Sequence, residues 1–362
     1  DLHKEYRRQR QMCIRDRNIA VFSDKFSGTL SAIEVLDIVQ GKFLDSNINA
    51  DFFSVTDGGQ ESTEIFKSYN FQMNESFETS NCDNSISVVE TIDVNGNIFF
   101  ESAQLIGINS AKDSMSINSG CLVEVTQKTE ILGTGGSKTV DFGIGLLSKL
   151  GMEFISNGET IVDPIPQNFS FIDSVKSTNF KSDLDLKVLS DTKIPLLGKD
   201  SAFDVFGPQK GLSKEDIEKH KSEVERLITL IDKELVLDLN PNAVYSGAAG
   251  GLTFTLNQIL GCEIESGAKY FIKETNLIKQ LENYDIGIFC EGKFDESSLK
   301  GKIIGELLKE FKGHRYFLGG QYAAKNENIF TDYFQCGPEG IKNPKSSLEI
   351  ATNELIKVLK KD

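Results

Sequence analysis

Long apolar runs are absent from this sequence of 362 residues. A membrane-spanning helix needs about 20 consecutive apolar residues, and the printed chain contains no such run and does not open with an apolar segment. Secretory signal segments carry an apolar core of their own. We therefore expect no membrane partner and a cytoplasmic protein.

Closely spaced cysteines are also absent. The six cysteines stand at positions 13, 82, 121, 262, 290 and 336, and no two of them form a Cys-x-x-Cys pair. Zinc sites and disulfide frameworks both depend on closer and more regular spacing. The pattern is typical of reduced cytosolic thiols.

Histidine is scarce, since only His3, His220 and His314 occur. A His-dependent triad or a His-rich metal site is therefore not expected, and His220 is predicted on the solvated face of a charged helix. Asp, Lys and backbone N–H groups remain. They suffice for phosphoryl transfer, which needs positioning, charge neutralisation and Mg²⁺ more than covalent chemistry. The P-loop motif and the protein-kinase combination of H-R-D with D-F-G are absent.

Positive charge is in deficit, with 39 Lys and Arg against 54 Asp and Glu and a formal net charge of −15. Because such a surface repels DNA and RNA, we expect no nucleic-acid partner. Residues 1–17 differ from the rest, because they hold six Lys and Arg against three Asp and Glu and leave −15 − 3 = −18 for the remainder. We predict that 1–17 is a non-native or disordered tail outside the fold.

The length favours two domains. Strand–helix alternation at both ends, with a mixed middle, predicts an α/β protein in which an open parallel sheet is interrupted by an inserted domain. We place the first domain at 18–70 plus 271–362 and the inserted α/β domain at 71–270. Within them we predict a buried strand over 19–22, a hairpin turn at Asn95-Gly96, a charged helix over 213–230 and a Gly/Ala-rich helix over 246–260.

A glycine-rich loop at 133–141 lies between a short apolar run and a helix with a buried stripe. Glycines let backbone N–H groups approach a ligand, and the N-terminus of the following helix adds partial positive charge, so the loop suits an anion. Ser137 and Thr139 can cap the helix, and Asp141 can cap it or hold a metal. A tight turn with ordinary capping explains the same residues, so the loop alone leaves phosphate binding open.

Other clusters of glycine with Asp, Lys, Ser or Thr share this design. They lie at 24–29, 57–59, 206–211, 247–251, 291–295 and 300–302. Each cluster alone is a weak signal, because turn glycines are mostly structural. Together they are typical of several sides of one site for anions and a metal.

In chain order these motifs resemble those of the bacterial two-domain glycerate kinase family. The resemblance runs from about residue 18 to the C-terminus and rests on the segments 24–32, 56–63, 133–143, 190–198, 205–211, 247–251 and 290–295. It implies a flavodoxin-like parallel-sheet domain interrupted by an inserted mixed α/β domain. It also implies ATP-dependent, Mg²⁺-assisted phosphorylation of glycerate to 2-phosphoglycerate in an interdomain cleft, by a monomer or homodimer.

The same resemblance implies roles for individual residues. The predicted catalytic residues are Asp191 as the base, Lys293 as the group that neutralises the transferring phosphoryl, and Asp295. The predicted substrate-binding residues are Asp24, Lys25, Ser27, Asp57 and Gly58. The predicted ATP-binding residues are Gly133, Gly135, Gly136, Ser137, Thr139, Gly207, Lys210 and Gly250. The predicted metal ligands are Glu291, Asp295 and Asp141.

Four positions depart from the family pattern. Ser27 stands where the family has lysine, Val140 and Ile194 where it has asparagine, and Lys293 where it has arginine. Each change removes or moves a polar contact. Two other functions therefore stay open: a kinase for another small hydroxy acid, and a catalytically degenerate protein of the same fold that binds an organic acid or nucleotide.

Overall fold

The structure is a computed structural model that describes residues 17–182, 184–190, 192–326 and 328–361. It divides into two compact units. The first unit contains the described residues up to Asp57 and from Phe271 onward, and the second contains Gly58–Tyr270. Apart from Arg17, the predicted tail at 1–17 lies outside the described residues.

The first unit is built on a five-stranded sheet in which every neighbouring pair is parallel. With strands numbered along the whole chain, these are β1 Ile19–Ser23, β2 Asp51–Ser54, β12 Ile286–Phe294, β13 His314–Tyr322 and β14 Asp332–Gln335. Their order across the sheet is β14-β13-β12-β1-β2. This is the flavodoxin-like order, in which the chain crosses over between β1 and β12.

Apolar strands and amphipathic helices form the core of the first unit. Every residue of β1 is buried, as expected for a strand covered on both faces. Val21 and Ile288 share a core cluster with Val35 of one helix and Leu355 of another. The helices of this unit are α1 Ala32–Asp45, α10 Leu277–Leu281, α11 Ile303–Glu310 and α12 Pro344–Leu359. Ser31 caps α1 through a capping box with Glu34.

The second unit contains a six-stranded mixed sheet in the order β11-β10-β6-β5-β4-β3. Its strands are β3 Gln72–Ser80, β4 Ile86–Val94, β5 Asn97–Glu101, β6 Ile131–Gly133, β10 Lys187–Leu189 and β11 Glu263–Glu265. The predicted hairpin is confirmed, because Val94 pairs with Asn97 and both Asn95 and Gly96 have positive φ. A small sheet is formed by β7 Glu153–Ser156, β8 Glu159–Thr160 and β9 Ser174–Lys176.

The helices of the second unit are mostly short. They are α2 Ser62–Ser68, α3 Ala103–Ile106, α4 Val123–Thr126, α5 Ile144–Lys149, α6 Ala202–Phe206, α7 Lys214–Leu235 and α8 Leu252–Phe254, and α9 Gly267–Glu274 runs across the division between the units. The continuous helix predicted over 246–260 is wrong. Ala249 and Gly250 have left-handed φ, which breaks the segment into a 3₁₀ turn, α8 and a π turn at Thr255–Ile259.

The predicted division at 70/71 differs from the observed one at 57/58. Residues 58–70 belong to the second unit because α2 packs there. The ring of Phe66 lies 5.0 Å from that of Phe99 on β5. The backbone N–H groups of Glu61 and Thr63 donate to the carboxylate of Glu101 at the end of the same strand. The structure also divides between residues 270 and 271.

The α/β prediction with a parallel-sheet domain and an inserted mixed domain is confirmed at the level of the fold. Across the described ranges, no helix is long and apolar enough to cross a membrane.

Candidate functional site

The crossover between β1 and β12 brings Asp24 and Glu291 side by side. Ser23 and Cys290 are register partners, and the N–H of Asp24 donates to the carbonyl of Cys290 at 3.0 Å. Residues in register on neighbouring parallel strands point to the same face. Open α/β sheets bind ligands at the carboxyl ends of their strands, at such a crossover. The position of these two carboxylates therefore marks a candidate site.

Glu291 is buried, with 3% of its surface exposed. Its Oε1 accepts a hydrogen bond from the Ser298 hydroxyl at 2.9 Å and lies 3.5 Å from the ammonium of Lys302. Its Oε2 is buried without a hydrogen-bond partner among the residues that the structure describes. One half of this carboxylate is thus held firmly, and the other half is left unsatisfied.

Asp57 joins the same group from the loop that follows β2. Its Oδ1 accepts from the N–H of Ile303 at 2.7 Å, so it caps the first turn of α11. Lys302 is the N-cap residue of that helix. Burial alone would lower the pKa of Lys302, but the neighbouring carboxylates, with Glu291 first, raise it above its ordinary value. We call Asp24, Asp57 and Glu291 the carboxylate cluster, with Lys302 as its counter-charge.

Burial raises the pKa of all three members of the carboxylate cluster, and repulsion between carboxylates adds to the rise at Asp24 and Glu291. Burial raises the pKa of Asp24 well above its usual range, and the charges of Asp57 and Glu291 raise it further. Burial also raises the pKa of Asp57, against the hydrogen bond from Ile303. Burial raises the pKa of Glu291 to about 7, although Lys302 opposes the shift. Because like charges so close together resist full ionisation, the cluster retains affinity for protons near neutral pH.

Lys293 and Asp295 form a second, more exposed pair. The Lys293 ammonium lies 3.2 Å from Oδ2 of Asp295. The N–H and hydroxyl of Ser297 donate to Oδ1 of Asp295 at 2.8 and 2.6 Å. Partial burial opposes ionisation of Asp295, but these hydrogen bonds and Lys293 lower its pKa to about 2. Asp295 therefore stays ionised where the carboxylate cluster resists ionisation.

A cavity of about 670 Å³ opens beside these groups, entirely within the first unit. It combines anionic, cationic and amide side chains with a glycine-containing loop after β14. The predicted residues that line it are Asp24, Lys25, Ser27, Glu291, Lys293 and Asp295. Other lining residues were not among the predicted site residues, and they include Lys302, Gln321, Gln335 and Ile341.

The sequence carries a signal for some of these residues and none for others. Lys302 belongs to a Lys-Gly-Lys cluster whose composition was noticed. Its role depends on where α11 begins, because only that start places its ammonium beside Glu291. Gln335 is held by accepting from the N–H of Tyr322 at 2.8 Å, which is a contact between neighbouring strands. No local pattern in the sequence signals that contact.

The glycine-rich loop lies in the second unit, together with the other predicted ATP-binding residues. Gly133 ends β6 against the backbone of Gly58, where any side chain would collide with the Gly58 carbonyl. Gly135 and Gly136 have positive φ. The loop is therefore packed tightly against the segment that begins at Gly58, and its glycines are required by close approach as well as by conformation.

Lys210 closes the loop from the other side. Only 6% of its surface is exposed, and its ammonium donates to the Ser137 hydroxyl at 3.2 Å and to the Thr139 carbonyl at 2.8 Å. No carboxylate of the described residues lies within 4 Å of the Lys210 ammonium. Burial lowers the pKa of Lys210 to about 7, against the attraction of Asp141. The loop thus contains a buried cation that is held by neutral oxygens.

Gly207 and Gly250 support the same region by close packing. Gly207 ends α6 just before the turn that carries Lys210. Gly250 has positive φ, and a side chain there would collide with the Thr139 carbonyl. The N–H of Phe142 donates to the Gly250 carbonyl at 3.1 Å, which fastens the two loops together. These two glycines shape the backbone around the loop.

The three predicted metal ligands have different surroundings. Asp141 is buried, and its Oδ2 accepts from the N–H and hydroxyl of Ser119 and from the N–H of Gly145. This oxygen therefore anchors the start of α5, whereas Oδ1 is buried without a hydrogen-bond partner among the described residues, and the role of Asp141 as a metal ligand stays a prediction. Glu291 is engaged by Lys302, and Asp295 lines the cavity. Among the described residues, no group of three or more His, Cys, Asp and Glu side chains is arranged to hold a metal ion.

Two further sequence predictions concern buried or undescribed positions. His220 is buried rather than solvated: its Nε2 lies 2.7 Å from the Val140 carbonyl, and its ring stacks on Phe169. Burial lowers its pKa to about 4.

Val140 itself is buried in the core, so an apolar side chain suits that position. Asp191, the predicted base, lies outside the described residues, and its role stays a prediction.

Comparisons with known proteins agree with the motifs. The model of the glycerate kinase family matches residues 19–349. A glycerate kinase of Bacillus cereus is 31% identical over 209 residues, which cover 54% of this chain and 54% of that protein. The chain thus spans about half the length of this relative. Glycerate 2-kinase of Escherichia coli K12 is 26% identical over 320 residues, which cover 83% of this chain and 84% of that protein.

The fold has a relative among solved structures. A Salmonella typhimurium LT2 protein assigned as glycerate kinase 2 superposes with a TM-score of 0.67 and 22% sequence identity, covering 95% of this chain and 98% of that one. This likeness supports the two-domain α/β fold. The family match, over more than half of the chain, confirms the sequence prediction of a kinase at the level of the family. The chain belongs to the glycerate kinase family.

Proposed function

We propose that the protein transfers the γ-phosphoryl group of ATP to a hydroxyl of glycerate and forms 2-phosphoglycerate. The observation that carries this proposal is the cavity of the first unit, where three lysines and the carboxylate cluster meet at the crossover of the sheet. Lysines suit the carboxylate of glycerate and the phosphates of ATP, and carboxylates suit a hydroxyl that must lose its proton. The name of the E. coli relative supports the same substrate.

The presence of three lysines distinguishes this cavity from a purely acidic pocket. Lys25, Lys293 and Lys302 all line it. The Lys293 side chain is 59% exposed, so it is free to turn from Asp295 towards a phosphate. Lys302 is held between carboxylates and is less available. Lys293 therefore fits the predicted role of neutralising the transferring group, where the family pattern has arginine.

Of the predicted metal ligands, Asp295 fits Mg²⁺ best. Mg²⁺ is usually bound by one or two carboxylates together with waters and substrate phosphates, so a complete protein cage is not needed. Asp295 is ionised, lines the cavity and is 28% exposed. When bound, Mg²⁺ would neutralise charge on the phosphates of ATP. The interdomain location of the site, the oligomeric state and the cytoplasmic location stay predictions.

A coupled assay of ADP release tests the proposal. The purified full chain would be supplied with ATP, Mg²⁺ and, separately, glycerate, lactate, glycolate, malate and tartrate. Release with glycerate well above the others supports glycerate kinase activity. Release only with another acid would favour the second function, and binding of ATP or an acid without release would favour the degenerate binding protein.

The product is identified by ³¹P NMR of the same reaction. A phosphate on the secondary carbon couples to one proton and gives a doublet, whereas a phosphate on the terminal CH₂ gives a triplet. We expect the doublet of 2-phosphoglycerate. The Mg²⁺ assignment predicts that Asp295→Asn raises the Mg²⁺ concentration needed for half-maximal activity, whereas Asp332→Asn, an exposed change in the same unit, leaves it unchanged.

A further inference from the structure

The carboxylate cluster has more negative charge than the structure compensates. Glu291 is paired with Lys302, Asp57 caps α11, and Asp24 lies beside both of them. Oε2 of Glu291 has no partner in the described part of the chain although it is buried. Among the cluster members, Asp24 is partly exposed and lines the cavity.

We propose, resting on the function above, that Asp24 is the group that accepts the proton of the substrate hydroxyl, and that Glu291 and Asp57 are positioning residues beneath it. In this step the hydroxyl oxygen of the acid forms a bond to the γ-phosphorus of ATP. The bond from that phosphorus to the β,γ-bridging oxygen breaks, and ADP leaves with the electron pair. The hydroxyl proton moves to the Asp24 carboxylate and passes from there to solvent.

Access singles out Asp24 within the carboxylate cluster. It is partly exposed and lines the cavity, whereas Glu291 is 3% exposed and has one oxygen engaged by Ser298 and Lys302. Asp57 is committed to the N–H of Ile303. A substrate in the cavity can therefore reach the Asp24 carboxylate, while the other two carboxylates are engaged by their own partners.

Proton affinity also favours Asp24 over the nearby Asp295. A general base works best when its pKa lies near the working pH. The pKa of Asp295 is lowered to about 2, which makes it a weak base. The pKa of Asp24 is raised by burial and by two neighbouring carboxylates, while Lys25 lowers it. Lys302 also faces the cluster and limits the rise.

Position in the fold gives a third reason. The Asp24 backbone is fixed to β12 by its hydrogen bond to Cys290, and Oδ1 of its side chain accepts from the N–H of Lys25 at 2.8 Å. One carboxylate oxygen is thus oriented by the protein. A base that is oriented on a rigid strand end loses little freedom when it meets the substrate.

The test compares Asp24→Asn with Asp191→Asn, the predicted base from the sequence, and with Asp45→Asn, an exposed change in the same unit. We expect Asp24→Asn to lower kcat with glycerate by about 10²- to 10⁴-fold, with far-UV circular dichroism unchanged. Asp45→Asn should retain the kcat of the wild type. If Asp24→Asn keeps kcat within a few-fold while Asp191→Asn loses it, the assignment is overturned.

Glu291→Gln supplies a readout that a merely structural role would not move. Removing this negative charge should shift the acidic limb of the kcat–pH profile to lower pH by about one unit. An unshifted limb would contradict the positioning role. If the wild type releases no ADP in the presence of glycerate, the proposed function itself is wrong and the base falls with it. An active wild type with an active Asp24→Asn variant overturns only the base.

Discussion

The two units bury ionisable groups in different arrangements. The first unit holds three carboxylates beside Lys302 at the end of a parallel sheet, and burial raises their pKa values. In the described part of the second unit, Lys210 is buried among neutral oxygens, and burial lowers its pKa to about 7 against the attraction of the buried Asp141. In both cases desolvation disfavours the charged form. The first unit thus gathers carboxylates beside a lysine, whereas the second holds a lysine by neutral oxygens of its glycine-rich loop.

The largest effect should come from the packing of the glycine-rich loop. Gly133→Ala would push a methyl group into the carbonyl of Gly58, and we expect the free energy of unfolding to fall by about 4 kcal/mol or more. Gly28 in the first unit has positive φ but open space around it, so Gly28→Ala should cost only about 1–2 kcal/mol. Urea unfolding followed by circular dichroism measures both. Equal losses would show that the loop of the second unit is not closed by packing.

The second effect concerns Lys210 and pH. Between pH 7 and pH 10 the unfolded chain holds the lysine proton more tightly than the folded chain, so stability should rise with pH in this window. In the wild type we expect the free energy of unfolding to rise by about 3–4 kcal/mol over this window, and Lys210→Met should remove this rise. Urea unfolding at pH 7 and pH 9.5 measures the difference, with the exposed Lys219→Met as control. A variant with the pH dependence of the wild type would mean that burial does not lower the pKa of Lys210.

The third effect concerns Glu291 in the first unit, where stability should fall as pH rises. The folded pKa of Glu291 lies above its unfolded value, so its contribution to stability is complete below about pH 4.5 and is lost as pH rises through about 7. Glu291→Gln should therefore stabilise the protein by about 2–3 kcal/mol at pH 8 and by little at pH 4.5.

Hydrogen exchange of peptides from β12 measures this change within the first unit, and peptides from α7 serve as the internal control in the second. Stabilisation of the α7 peptides alone, or an equal gain at both pH values, would contradict the assignment of the effect to the Glu291 carboxyl.

The smallest effect should be the same in both units. Ser31 and Ser213 begin α1 and α7 with matching capping boxes, in which the serine side chain accepts from the N–H three residues on. Ser31→Ala and Ser213→Ala should each lower the free energy of unfolding by about 1 kcal/mol. Thermal unfolding compares them directly. A clear difference would show that helix capping depends on the unit as strongly as buried charge does.

Elements with a local signal were predictable. The residues of these elements account for the local structure without distant contacts. Examples are the apolar run of β1, the Asn95-Gly96 turn and the serines that cap α1 and α7. The break at Ala249 was missed because an alanine with left-handed φ carries no local signal, and only the approach of the Thr139 backbone to Gly250 accounts for it. The boundary at 57/58 was missed because α2 packs on a strand that comes later in the chain.

The candidate site divides in the same way. The motifs around Asp24 and Glu291 are visible as strand ends followed by polar residues and glycine. The contact of Lys302 with Glu291 and the capping of α11 by Asp57 join residues that are far apart in the sequence. His220 was predicted on a solvated face because its neighbours are charged, yet the helix turns it towards Phe169 and Phe203.

The sequence by itself determined the α/β class, the family and the residue types available for phosphoryl transfer, because periodicity, composition and ordered motifs are local properties of the chain. Only the tertiary structure decided which charges share a buried environment. Desolvation and repulsion depend on distances between residues such as Asp24, Asp57 and Glu291, which the sheet order brings together from three separate segments. This shared environment is what raises the pKa values of their carboxyl groups.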